Sequence, residues 1–161
     1  MPKRNFATST KLVKVLPAAA DAAGRAGRAV NLKNATFATV IVNVSQGNAA
    51  TVAITLQQAT NVAGAGAKAL ANAVPIWANL DTDASDTLVR QADAVSFTTD
   101  AAVKNKTIVF HIDPAYLDVN AGYRTLIVST GASNAANVTS VDVLLDGSRY
   151  QSEPIPTALT D

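Results

Sequence analysis

A chain of 161 residues is long enough for one domain with a sizeable core, and nothing in it asks for two. Only 16% of the residues are charged, glutamate occurs once and cysteine is absent. That excludes disulfide and thiol chemistry and leaves little material for long surface helices, which lean on Glu and Lys. The net charge of +1 is unevenly spread: residues 1–33 set seven basic residues against Asp21, whereas the remainder holds six basic and eleven acidic residues.

This asymmetry reads as a basic N-terminal arm on a mildly acidic body, with an acidic partner for the arm or, failing one, a solvated terminus. No stretch approaches the ~18 apolar residues of a membrane span, so no membrane partner is expected. Lys11 and Lys14 interrupt the only apolar run near the N-terminus, so a secretory signal is not expected either.

Along the chain, Lys11–Leu16 alternates weakly, stops at Pro17 and fits an edge strand guarded by its lysines. Ala18–Ala29 is alanine-rich but carries Gly24 and Gly27, which favour a loop; a short strand follows at Ala29–Lys33. Thr36–Val44 is the clearest strand, with Val40, Val42 and Val44 on one face and Phe37, Thr39, Ile41 and Asn43 on the other. The turn residues Ser45–Asn48 and the alternating Thr51–Gln57 make it half of an antiparallel hairpin. Thr60–Ala71 is a packed loop. Ala73–Leu80 is a strand whose Pro75 places it at an edge or after the proline. Thr87–Arg90 and Ala94–Thr98 read as a short hairpin. Thr107–Ile112, Tyr123–Ser129 and Val138–Leu145 complete the strands, and Pro154 and Pro156 make the C-terminus an extended tail.

About eight strands at short spacing, with no amphipathic helix between them, predict an all-β fold, an antiparallel β-sandwich or jelly roll with extended N- and C-terminal arms. The expected divisions are an arm over 1–28, a body over 29–150 and a tail over 151–161. An internal echo accompanies this pattern. TVIVNVSQGNAATV at Thr39–Val52 and TLIVSTGASNAANV at Thr125–Val138 coincide at seven positions, either as one hairpin type used twice or by chance in a biased composition.

Catalytic constellations are missing. The sole histidine, His111, lies in a strand with no nucleophile elbow anywhere in the chain. No phosphate loop or dinucleotide fingerprint occurs. Asp81–Asp86 offers oxygens at alternate positions for a hard cation, but it lacks the glycine and glutamate of an EF-hand and fits a self-capping turn better. Zinc lacks its Cys and His ligands. The expectation is therefore a non-enzymatic protein without metal or cofactor. Eight aromatics and an acidic body also argue against nucleic acid as a partner.

TKLVKVLPAAADAAGRAGR, SQGNAATVAITLQQA and the closing VDVLLDGSRY together resemble small virion structural proteins of tailed phages, of the decoration or cement type. The resemblance implies a β-rich domain on the outer surface of a capsid, bound to the major capsid protein. It further implies a homo-oligomer, with a trimer favoured, made in the host bacterial cytoplasm and carrying no catalytic residues. Partner contacts are then expected from Lys3, Arg4, Lys11, Lys14, Arg25 and Arg28 as basic groups, with Leu12, Val13, Val15 and Leu16 as apolar anchors of the arm. The tail contributes Pro154, Ile155 and Pro156. Trp77 and Tyr150 are aromatic contact candidates, with core burial the competing reading for Trp77. The alternatives are another phage structural role (tail tube, connector or fibre-associated) and a carbohydrate-binding β-sandwich for host attachment.

Overall fold

The computed structural model describes residues 6–148 and 156–161. After one helical turn at Phe6–Ser9 (α1), the chain forms twelve strands: β1 Thr10–Ala20, β2 Arg25–Ala26, β3 Val30–Asn31, β4 Ala35–Gln46, β5 Ala53–Ala59, β6 Lys68–Ala69, β7 Val74–Asn79, β8 Val89–Ala94, β9 Ser96–Thr98, β10 Asn105–Ile112, β11 Thr125–Thr130 and β12 Asn137–Ser148. Every described pairing is antiparallel. The first sheet (A) has the order β1-β12-β4-β10-β7-β8. The second (B) has the order β2-β11-β5-β6, with β3 beside β11 and β9 beside β5. The fold is the expected all-β sandwich, with more strands than the eight expected because several are only two or three residues long.

Alternation puts the core between the sheets. Val40, Val42, Ile76, Ile108, Phe110 and Val143 from sheet A meet Ile54, Leu56, Leu126 and Val128 from sheet B, all essentially sealed from solvent. At about 1.5–3 kcal/mol per buried large aliphatic side chain, this seam is the main source of stability.

Two expected hairpins are not hairpins. β4 lies in sheet A and β5 in sheet B, so the turn after Gln46 carries the chain across the sandwich. The same holds for β8 and β9. Two alternating segments joined by turn residues look alike whether the turn folds back within one sheet or crosses to another. The crossovers explain the internal echo. Asn48 and Asn134, 86 positions apart, each accept a hydrogen bond from the backbone N–H two residues on, at Ala50 and Ala136 (both 2.9 Å). One turn leads from sheet A to sheet B and the other leads back. They pack together: Asn137 donates to Ala50 O (2.7 Å) and accepts from Asn48 N (2.8 Å). A Cβ on Gly47 would fall 2.6 Å from Ala136 O, so only glycine allows this approach.

Pro75 is one strand in from the edge, not on it. Its missing N–H coincides with a register irregularity between Val74 and Ile76, where β8 accommodates an extra residue.

The crossover end of the sandwich also buries a charge. Lys106, fully enclosed, donates from Nζ to Gln46 Oε1 (2.8 Å), Ala102 O (2.7 Å) and the Asp100 carboxylate (2.5 Å). Gln46 Oε1 also accepts from Thr99 Oγ1 (2.9 Å). A buried ammonium is tolerable only when its donors are met in this way.

Candidate interaction surface

The outer face of sheet A is the feature that a purely solvated sandwich would not show. Its register aligns one row across all six strands: Lys14, Asp142, Ile41, Val109, Trp77 and Arg90. The next row runs Leu12, Leu144, Thr39 and His111. Phe37 follows on β4, its ring centroid 5.1 Å from that of His111. Leu12 is 57% exposed, and Leu144, Phe37, Ile41, Val109 and Trp77 are half-buried. On the opposite side of this row, towards the crossovers, the face turns polar with Ser140, Asn43 and Thr107. Lys14 closes one end by pairing with Asp142 (2.6 Å). Arg90 closes the other, lying 4.9 Å over the Trp77 ring and pairing with Asp93.

Of the residues assigned to partner contacts from sequence, this face brings together Leu12, Lys14 and Trp77. Trp77 is not a core residue, because its position pairs with Val109 on the outward register. Ile41, Val109, Leu144 and Phe37 were not singled out. Their signal is that the outward side of β4 and β10 sets Phe37, Ile41 and Val109 among Thr39, Asn43, Thr107 and His111, so this face is partly apolar.

The free-arm expectation is corrected over the described residues. Thr10–Ala20 is the edge strand of sheet A, paired along its length with β12. Val13, Val15 and Leu16 are 7%, 4% and 4% exposed and belong to the core, so they are unavailable as anchors. Arg25 reaches back to the strand edge. Its guanidinium donates to Pro17 O (2.9 Å), Ala19 O (3.0 Å) and Thr139 O (2.7 Å) and pairs with the fully buried Asp21 (2.9 Å). Arg28 N donates to Val15 O (3.0 Å). An edge strand presents a row of carbonyls that need donors, and a five-donor guanidinium meets several at once. Asp21 in turn accepts from Thr130 Oγ1 (3.2 Å) and Thr139 Oγ1, joining β1, β2, β11 and β12.

The tail is corrected likewise over 156–161. Ala158 is buried, its carbonyl accepts from Asn31 N (2.8 Å), and Pro156 O accepts from Lys11 Nζ (2.8 Å). These residues fold back on their own body because the end of the core needs a cover. Lys3, Arg4, Tyr150, Pro154 and Ile155 lie outside the described residues.

Asp81–Asp86 holds no cluster of metal-ligating side chains among the described residues. Lys104 occupies the Asp81 carboxylate instead, and this hydrogen bond holds the carboxyl below its ordinary pKa. Asp81 O caps the loop by accepting from Ser85 N (3.1 Å).

No family model and no curated protein matches the sequence. Among solved structures, the SPBc2 prophage-derived protein YomS is similar over 86% of this chain and 93% of its own, at 13% identity and a TM-score of 0.49. Desmodium yellow mottle tymovirus is similar over 89% of each chain, at 8% identity and a TM-score of 0.36. The N-terminal cellulose-binding domain of Cellulomonas fimi β-1,4-glucanase C is similar over 92% of this chain and 84% of its own, at 14% identity and a TM-score of 0.34. These values carry no argument about activity or partners, and the fold stands on the strand pairing described above.

Proposed function

We propose that this chain is a non-enzymatic structural protein of a phage virion, a capsid decoration protein that grips the major capsid protein through the outer face of sheet A. The observation that carries the reading is the apolar strip Leu12, Leu144, Ile41, Val109 and Trp77. Four interstrand spacings of about 4.8 Å make it roughly 19 Å wide. That is the size of an interface centre and not of a whole interface, which typically covers about 800 Å² per partner. The polar and charged surround of Ser140, Asn43, Lys14, Asp142 and Arg90 supplies the rim that excludes water from such a centre. The sequence resemblance to tailed-phage decoration proteins supports the capsid as the partner.

The carbohydrate-binding alternative is weaker on one specific point. A sugar platform needs an open aromatic face, and Arg90 covers one face of Trp77.

Gold-labelled antibody against the recombinant chain, applied to virions from its source, tests the reading. Label on the shell is expected, and label on the tail selects the tail-tube or connector role. An absence of label from virions that contain the chain by mass spectrometry, or an absence of the chain itself, defeats the decoration reading. On shells stripped of the chain, an Ile41→Lys variant should fold normally and rebind at least about tenfold more weakly, since it places a charge at an apolar interface centre.

A further inference from the structure

The two ends of the sandwich carry complementary chemistry. At the crossover end, residues 82–90 form an unbroken run of exposed positions. The run presents Asp83 and Asp86, then Leu88 and Val89, which are 42% and 58% exposed. Neither carboxylate takes part in an ion pair among the described residues; Asp83 accepts only a 3.3 Å bond from Asn105, and Asp86 a 3.4 Å bond from Thr87.

At the opposite end, between the segment before β4 and the turns after β10, lies a cleft of about 740 Å³. Its lining includes the apolar Leu117, Pro114 and Val119, the last 56% exposed. Lys33 and Arg124 stand among its lining residues. Lys33 has no ion pair among the described residues, and Arg124 has one long, exposed pairing, with Asp161 at 3.8 Å. The acid within the cleft, Asp118, is already neutralised by Lys68 (2.9 Å).

We infer that the Asp83–Val89 loop of one copy docks in the Lys33/Arg124 cleft of the next. One carboxylate meets Lys33 and the other competes with Asp161 for Arg124, while Leu88 and Val89 cover the apolar lining. An acidic segment followed by aliphatic side chains is what this cleft is shaped to take, and the chain itself carries one. Because loop and cleft lie at opposite ends, the contact is head-to-tail. Such heterologous contacts close into a ring or run on as a filament, and do not stop at a symmetric dimer. The inference does not depend on the virion reading.

Sedimentation at rising protein concentration tests it. The wild-type chain should associate, and added salt should weaken the association because the rim contacts are exposed charges. Loop reversal (Asp83→Lys with Asp86→Lys) and cleft reversal (Lys33→Glu with Arg124→Glu) should each leave the circular dichroism unchanged and lower association by at least about tenfold. Mixing the two variants should restore association, since the intact loop meets the intact cleft and the reversed loop meets the reversed cleft. A mixture that associates no better than either variant alone overturns the pairing of this loop with this cleft. A wild type that stays monomeric throughout, or reversals that leave association intact, overturn the inference outright.

Discussion

The inner and outer faces of sheet A are built from the same strands and both carry aliphatic side chains, yet they meet different surroundings. Along β10, Ile108, Phe110 and Ile112 point inward and are sealed, whereas Thr107, Val109 and His111 alternate outward and remain half-buried. An apolar side chain in a strand is therefore not by itself a core residue. What separates the two faces is whether a second sheet lies against them. Sheet B covers the inner face, and nothing within the described chain covers the outer one to the same degree.

Truncation is the sharpest way to separate the faces. Phe110→Ala should cost roughly 3–5 kcal/mol, the transfer free energy plus the cavity left behind. Val109→Ala, one position away, should cost about 1 kcal/mol or less, as half-exposed sites do. Urea denaturation of the two variants measures the ratio. Comparable losses would mean that the outer face is already packed against something in solution.

A second pair of substitutions divides the basic residues of the N-terminal region in the same way. Asp21→Ala strips the Arg25 guanidinium of its carboxylate and leaves Thr130 and Thr139 without their acceptor, and should cost roughly 3 kcal/mol. Arg28→Ala should stay within about 0.5 kcal/mol, since only its backbone N–H takes part in a described bond and the side chain is exposed. Thermal melts settle it, and a large loss from Arg28→Ala would mean that its side chain too fastens the strand edge.

These contrasts mark where the sequence is legible. Alternation at Thr36–Val44 and Thr107–Ile112 reveals the strands and their inward faces, because a period of two is a local property. It does not reveal which strands are neighbours. The turn at Ser45–Asn48 gives no sign of crossing to the other sheet, and partner choice depends on contacts far apart in the chain. The basic residues near the N-terminus look like an arm because charge is counted along the sequence, whereas Arg25 is used against the carbonyls of a strand that has folded beside it. Of the interaction face, Leu12, Lys14 and Trp77 are legible as candidates. Ile41 and Val109 are not, since an aliphatic residue among valines passes for core until the covering sheet is located.

The smallest expected effect concerns pH and the crossover end. The Asp100 carboxyl is held below its ordinary value of 3.8, chiefly by the hydrogen bond from Lys106, with burial opposing. A carboxyl whose folded pKa is depressed contributes stability that is complete above its unfolded value and is lost as pH falls through the folded one. The loss should therefore begin below about pH 4 and deepen on further acidification. Half of the Asp100 side chain is exposed, so solvent screening limits the contribution to about 1 kcal/mol or less. Urea midpoints followed from about pH 6 down to pH 2 should fall less steeply for Asp100→Asn than for the wild type. The amide keeps an oxygen for Lys106 but has no charge to lose. Parallel curves would mean that the backbone oxygens of Asp100 and Ala102, together with Gln46, satisfy the buried ammonium without help from the carboxylate.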